Sequence, residues 1–160
     1  MKKILLFLFS FLSITSYSQI DKPQVYSVTT QFERIEIVRF VPGTDMLEGL
    51  KKIVVDKGIK NAVILSGIGS VTDYHYHVVS DKSLPPAEED PQASVPMDLV
   101  SVQGHILNGR VHVHISLSDV NSMVGGHLEP GTKALTFFMI TIGVLPDNID
   151  IGSFDTYKVQ

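Results

Sequence analysis

The sequence predicts an α+β domain in which a largely antiparallel β-sheet packs against one main helix. Three observations support this fold class: about seven or eight segments have strand-like patterns, a single segment has clear helical periodicity, and most connections have the length of hairpin turns. Residues 19–160 have the length of one domain with a sizeable hydrophobic core. We therefore expect a single folded domain after a short N-terminal segment.

Residues 1–18 have the pattern of a secretory signal peptide. Lys2 and Lys3 form a basic start, residues 4–12 are apolar, and Ser16-Tyr17-Ser18 fits a small-x-small cleavage site. The apolar run is shorter than the roughly 20 residues that span a bilayer, so no membrane span is expected after cleavage. The chain has no cysteine, which excludes disulfides and a lipoprotein signal. We expect an exported protein, periplasmic or extracellular.

The first predicted elements are two strands and the helix. Residues 24–30 and 33–41 have strand patterns, and a Pro-Gly pair ends the second one. The helix is predicted over residues 45–57, because Asp45 is a favourable N-cap, Glu48 follows three residues later as in a capping box, and a glycine follows the last turn. Its apolar stripe, expected to pack on the sheet, consists of Met46, Leu50, Ile53 and Val54.

The middle of the chain predicts two strands and a long loop. Residues 62–66 are continuously apolar and residues 71–79 form a further strand pattern. Between them, Gly67-Ile68-Gly69-Ser70 indicates either a tight bend or a close approach of two backbones. Residues 80–96 contain four prolines and the acidic triplet Glu88-Glu89-Asp90. We expect this loop to be a functional flap or a surface excursion, with the acidic triplet in solvent.

A β-hairpin is predicted over residues 98–118. Residues 111–118 alternate between apolar and polar side chains, and Asn108-Gly109 is the favoured pair for a two-residue type I′ turn. That turn places Leu107 opposite Arg110 and fixes the register. The expected apolar pairs are Ile106 with Val111, Val102 with Ile115 and Val100 with Leu117, and on the other face His105 lies opposite His112 and Gln103 opposite His114.

The remaining segments predict a turn and two strands. Residues 125–131 are rich in turn-forming residues, residues 134–144 form a long apolar strand, and residues 149–159 are expected to form a last strand.

The histidines are the candidate functional residues. All six lie between positions 75 and 127, and the hairpin register puts His105, His112 and His114 on one face. Opposed Cβ atoms lie roughly 4.5–5.5 Å apart, which lets imidazoles share one metal ion. His127, after two glycines, is a fourth candidate ligand.

Three histidines with an open fourth position suit a divalent metal, zinc being the first candidate, although iron, nickel and copper also accept such ligands. His75 and His77 alternate with residues that look packed, so the pattern leaves their membership of the site open. Glu129 and Asp119 are candidate general bases or partners of metal-bound histidines, and each also suits a turn.

The chain from about Met97 to Gly143 resembles the plant and prokaryote conserved (PPC) domain. The resemblance depends on three runs, residues 99–104, 112–118 and 124–131, and upstream on the glycine segment 66–70 and the strand-then-helix opening 39–58. It implies a largely antiparallel sheet against a helix and a homotrimer. The histidines that it shares with the family pattern are His112, His114 and His127. This chain differs from the pattern by its signal peptide, by His105 in place of a frequent Asn, by an enlarged 80–96 loop, and by lacking an AT-hook core.

The composition bears on the possible partners. The formal net charge is −4, and removal of Lys2 and Lys3 makes it more negative, which argues against nucleic acid and anionic membrane surfaces. We expect an exported, homotrimeric protein that binds a divalent metal and possesses a possible small-molecule site. DNA binding, which the family label suggests, and a metal-dependent enzyme remain alternatives. A cupin is a competing fold, but the helix at 45–57 argues against it.

Overall fold

The computed structural model, which describes residues 25–156, is an antiparallel β-sheet with one helix packed against it. The helix α1 spans Met46–Asp56. The strands are β1 Arg34–Phe40, β2 Asn61–Val79, β3 Glu88–Glu89, β4 Gln92–Ala93, β5 Met97–Leu107, β6 Arg110–Ser118, β7 Met123–Leu128 and β8 Lys133–Leu145. The predicted fold class is confirmed. The helix is too short and too polar to cross a membrane, and no other helix occurs among the described residues.

The main strands follow the order β1-β8-β2-β5-β6-β7, and β7 also pairs with β2. The strands β2, β5, β6 and β7 therefore form a closed ring of antiparallel pairs. Strand β2 makes this possible because it is long: Ala62 pairs with both Ile106 of β5 and Val144 of β8, whereas Tyr76 near its other end pairs with Leu128 of β7.

The helix begins and packs as its sequence predicts. Asp45 caps it, accepting a hydrogen bond from the backbone N–H of Glu48 over 3.0 Å. Met46, Leu50 and Val54 are buried. The core that they join consists mainly of apolar residues from the inner faces of β1, β2, β5, β6 and β8, including Phe40, Ile64, Val102, Ile115, Phe138, Ile140 and Ile142.

The two strands predicted at 62–66 and 71–79 are parts of the single strand β2. The glycine segment between them is not a tight bend but a place of close approach. Gly67 lies against the side chain of Val102, and Gly69, at a φ of 152°, lies against the backbone carbonyl of Phe137. A side chain at either position would collide with a neighbouring strand, so the glycines let the strands pack closely.

The β5–β6 hairpin has the predicted turn and most of the predicted register. Asn108 and Gly109 have φ values of 52° and 78°, as a type I′ turn requires. The pairs from Leu107–Arg110 to Val102–Ile115 are those expected, including His105 with His112 and Gln103 with His114. A register shift between Leu99 and Ser101 then makes Leu99, and not Val100, the partner of Leu117. The predicted pair with Val100 is wrong because the irregularity turns this residue to the surface.

The 80–96 loop folds back onto β2. Its short strands β3 and β4 pair with β2, with Val78 opposite Glu89 and His75 opposite Gln92. We call residues 80–96 the flap. These pairs hold the flap against the sheet next to His75 and His77.

The segment predicted as turn-rich, residues 125–131, is largely strand. Strand β7 runs to Leu128 between β6 and β2, and only the residues after it form a turn. Gly125 and Gly126 have no room for side chains, because they lie against the carbonyl oxygens of Ile115 and His77. The two glycines therefore allow β7 to fit between its neighbours.

Both terminal strand predictions are wrong within the described residues. Residues 25–30 form no regular strand, and residues 149–156 form no strand but contain a turn at 152–155. Residue 24, residues 157–159 and the predicted signal peptide at 1–18 lie outside the described residues.

Candidate metal centre

Histidines from three adjacent strands meet on one face of the strand ring. His112 and His114 belong to β6, His127 to β7 and His77 to β2. The register places His127 opposite His114 on one side and opposite His77 on the other. Directly paired residues share a face of the sheet, so three imidazoles form a row across β2, β7 and β6. We call these four side chains the histidine face.

Three predicted ligands form one candidate group for a metal ion. The ring centroids of His112, His114 and His127 lie 4.8 to 5.7 Å apart. His127 stands nearly perpendicular to both rings of β6, with interplanar angles of 75° and 85°. Each residue offers one nitrogen, and these atoms lie within 4.8 Å of one another. Three nitrogens in this arrangement can approach one cation with small side-chain adjustments.

The surroundings of His127 and His114 keep these two imidazoles neutral. Burial lowers the pKa of His127 from 6.5 to about 4, and the neighbouring rings of His77, His112 and His114 add to this effect. The pKa of His114 is also lowered, by desolvation first and then by His112 and His77. A neutral imidazole has a free nitrogen lone pair, which is the form that binds metals.

Asp155 orients His112. The Nδ1–H of His112 donates to Asp155 Oδ2 over 3.1 Å, and Arg110 holds the other carboxylate oxygen over 2.6 Å. Desolvation alone would raise the pKa of Asp155, but the hydrogen bond from His112 and the charge of Arg110 outweigh it and the pKa is lowered. With Nδ1 as the donor, Nε2 of His112 carries the lone pair and is available to a metal. Asp155 is not among the site residues predicted from the sequence, because it lies 43 residues along the chain from His112 in a segment predicted as a strand.

Glu129 contacts the histidine face through His77. The Nδ1–H of His77 donates to Glu129 Oε1 over 2.7 Å. On the other side of the same ring, Glu88 Oε1 of the flap lies 3.8 Å from Nε2. His77 also stacks on His127, with ring centroids 4.4 Å apart. Glu129 is thus the partner of a histidine, one of the two roles that its position in the sequence allowed.

His75, which also contacts the flap, has a different environment. Its Nδ1 faces the carbonyl oxygen of Pro130 over 2.7 Å and its Nε2 faces Asp90 Oδ1 over 2.8 Å. Both partner atoms are hydrogen-bond acceptors, and the hydrogen bond to Pro130 raises the pKa of His75 despite opposing desolvation, with Asp90 adding to the rise. Because both ring nitrogens are engaged as donors, His75 is unsuited to bind a metal. The acidic triplet 88–90 is exposed to solvent, as expected, and two of its members also contact histidines.

His105 does not join the group, although it lies opposite His112 as predicted. It is exposed, and together with His112 and Asp155 it lines a cavity of about 430 Å³. The other walls of the cavity are mainly apolar and include Val28, Val63, Leu107, Leu145, Ile149, Ile151 and Phe154. Asp119 is also outside the group: its carboxylate accepts hydrogen bonds from the backbone of Asn121 and Ser122 in the turn before β7.

The donor atoms fit a divalent transition metal. Three neutral imidazoles are the ligand set of a catalytic-type zinc site that leaves one position free. A second group of donors, His77, His127 and Glu129, lies beside the first and shares His127 with it. Imidazole and carboxylate ligands do not by themselves select among zinc, iron, nickel and copper.

Comparison with known families and sequences identifies one family and two curated relatives. The model of the Plants and Prokaryotes Conserved (PCC) domain matches residues 27–146. Among curated proteins, the bifunctional protein GlmU of a Synechococcus strain (JA-3-3Ab) is 25% identical over 118 residues. That match covers 73% of this chain but 18% of GlmU, so the chain spans less than a fifth of the curated relatives that it matches.

Solved structures share the fold. A metal-containing protein from Archaeoglobus fulgidus has a TM-score of 0.67 at 19% identity, covering 76% of this chain and 86% of the other. A plant- and prokaryote-conserved (PPC) protein from Pyrococcus horikoshii has a TM-score of 0.63 at 22% identity, with coverages of 76% and 85%. A protein from Bacteroides thetaiotaomicron, named as a proposed DNA-binding protein, has a TM-score of 0.62 at 20% identity, with coverages of 72% and 83%.

Proposed function

The chain belongs to the Plants and Prokaryotes Conserved domain family, and from this premise we propose that it binds a divalent metal, zinc first, through His112, His114 and His127. The observation that carries the proposal is the convergence of these three rings from two paired strands. The low pKa of His127 and the hydrogen bond from His112 to Asp155 support it, because both favour the metal-binding form of the imidazole. The metal-containing relative from Archaeoglobus fulgidus has the same fold.

Metal analysis of the purified protein tests this function. The protein is stripped with a chelator, loaded with zinc, exchanged into metal-free buffer and measured by elemental analysis. The H112A/H114A double variant should lose the cation held by the three histidines. His105→Ala is the matched control, because His105 neighbours His112 but lies outside the group. Equal metal content in the double variant and the parent protein refutes the proposal.

A small ligand is proposed to occupy the cavity beside the metal centre. His112 and Asp155 line the cavity, whose remaining walls are mainly apolar, so a compact apolar molecule with one polar group fits its chemistry. Such a ligand would lie next to a metal-binding histidine. Titration with a panel of small apolar alcohols and amines, followed by NMR, should shift the signals of residues such as Val63 and Ile151. A panel that leaves these signals unmoved counts against the site.

We further propose that the protein is exported and forms a homotrimer. The outer face of β1, β8 and β2 supports assembly, because Ile37 is 70% exposed and Ile35, Ile68 and Met139 add further exposed apolar surface. Light scattering should give three times the chain mass, and Ile37→Lys should lower it. Export predicts that the full chain, expressed in a bacterium, accumulates outside the cytoplasm without its first 18 or so residues.

DNA binding is a second candidate, favoured by the name of the Bacteroides relative. The net charge of −4 opposes it, because binding to the phosphate backbone requires clustered basic residues. Retention on duplex DNA at near-physiological salt would support it, and no retention at low salt would exclude it.

A metal-dependent enzyme is the remaining alternative, because a zinc ion with three histidine ligands can lower the pKa of a bound water. Activity that a chelator removes and one specific metal restores would favour the enzyme over a binding protein.

A further inference from the structure

The histidine face contains a second set of donors that the three-histidine group does not use. His77 lies on β2 and Glu129 directly follows β7, and each offers a ligand atom within 4.8 Å of the other and of His127. Two imidazoles and one carboxylate are an established ligand set for zinc and for non-haem iron. Their positions follow from the pairing of β2 with β7, which sets His77 directly opposite His127.

Negative charge distinguishes this second set from the first. The first group has only imidazoles as ligands, with Asp155 behind His112. The second contains the carboxylate of Glu129, and the flap brings Glu88 to 3.8 Å from Nε2 of His77. Two divalent cations on one face repel each other, and two carboxylates on the side of β2 oppose this repulsion. The acidic flap therefore lies where its negative charge would stabilise a second cation.

We propose that the histidine face holds two divalent cations, one at His112, His114 and His127 and a second at His77, His127 and Glu129. The first cation is that of the proposed function, on which this inference rests. His127 lies between the groups and has two ring nitrogens, so it contributes one to each. When both positions fill, its ring proton leaves to solvent.

The tautomer of His77 changes when the second cation binds. Its Nδ1–H now donates to Glu129, and the cation takes the place of that proton between Nδ1 and Oε1. The ring then carries its proton on Nε2, which faces Glu88. Glu88 becomes the acceptor that orients the metal-bound ring, as carboxylates do for other metal-binding histidines. The flap is therefore a positioning segment for the second cation.

Zinc stoichiometry of the full chain tests the inference. After loading with zinc and equilibrium dialysis at low micromolar free zinc, the parent protein should hold two ions per chain. His77→Ala and Glu129→Gln should each hold one, and H112A/H114A should hold one. His75→Ala is the matched control on the same strand, since both nitrogens of His75 already have other partners, and it should hold two. Glu88→Gln should weaken the second ion about tenfold or more while leaving the first unchanged.

The outcomes separate the two proposals. One ion in the parent protein, unchanged by His77→Ala and Glu129→Gln, overturns the second position and leaves the first intact. No ion in the parent protein overturns the proposed function itself. Glu129→Gln retains the size of the side chain, so it tests the second cation position even where circular dichroism shows that His77→Ala does not fold.

Discussion

Acidification of the metal-free protein should lower its free energy of unfolding between pH 6.5 and about 4, because folding suppresses protonation of His127. The pKa of this imidazole is 6.5 when unperturbed and about 4 in the folded protein. Protons therefore bind the unfolded chain more readily than the folded one throughout this interval. The contribution of His127 to the free energy of unfolding is fully present above pH 6.5 and decreases as the pH falls. Below about pH 4 it does not decrease further.

The size of the effect follows from the pKa difference. Each pKa unit corresponds to about 1.4 kcal/mol, so the shift sets an upper limit of about 3 kcal/mol. His127 is only partly buried, and solvent screening reduces the effect below that limit. His114 adds a loss of the same sign, because its pKa is also lowered. His75 acts in the opposite sense: its raised pKa contributes stability below pH 6.5 that is lost as the pH rises.

Urea unfolding in the presence of a chelator, followed by circular dichroism at pH values from 7.5 to 4, measures the effect. The variant His127→Gln is the comparison, since glutamine has no titrating group and all other ionisable residues are retained. As the pH falls, the unfolding free energy of the parent should decrease relative to that of the variant. Parallel pH profiles for the two proteins would show that His127 titrates normally, and the reasoning about its environment would be wrong.

Three further predictions follow from contacts of the site and the helix. Asp155→Asn should lower metal affinity ten- to a hundredfold by isothermal titration calorimetry, because His112 loses the partner that fixes its tautomer, whereas a normal affinity would show that the ring is held by other contacts. Gly126→Ala should destabilise the protein by about 1–3 kcal/mol in urea and weaken metal binding, because the new Cβ meets the carbonyl of His77 and forces β7 outward; an unchanged unfolding midpoint would contradict this. Asp45→Ala should cost about 1 kcal/mol or more, since its carboxylate caps α1 and also accepts from the backbone of Gly131, and Asp45→Asn should recover part of the loss.

Local patterns in the sequence were sufficient to predict the structure where one short segment determines its own conformation. The helix from Met46 and the Asn108-Gly109 turn were predicted correctly, because capping and turn chemistry depend on a few neighbouring residues. The pairing of His105 with His112 followed from the turn alone. The Val100 pair failed because a bulge leaves no mark in the alternation of apolar residues.

Features that depend on distant segments were not predictable in this way. The Gly125-Gly126 pair is typical of a turn in isolation, and only the presence of β2 and β6 on either side makes it a strand. For the same reason the membership of His77 in the metal site could not be decided from the sequence, because its closeness to His127 depends on a pairing across 50 residues of chain. Asp155 had no local signal at all, since its role depends on the tail folding back onto β6.

The closed ring of strands has a consequence for how ions are captured. Strand β7 is hydrogen-bonded on both edges, so the backbone that carries His127 is already fixed before a cation arrives. Capture then involves little chain ordering, unlike a zinc finger, which folds only when its metal binds. Differences in affinity between ions should consequently reflect preferences of coordination geometry, and chelation should empty the centre without melting the domain.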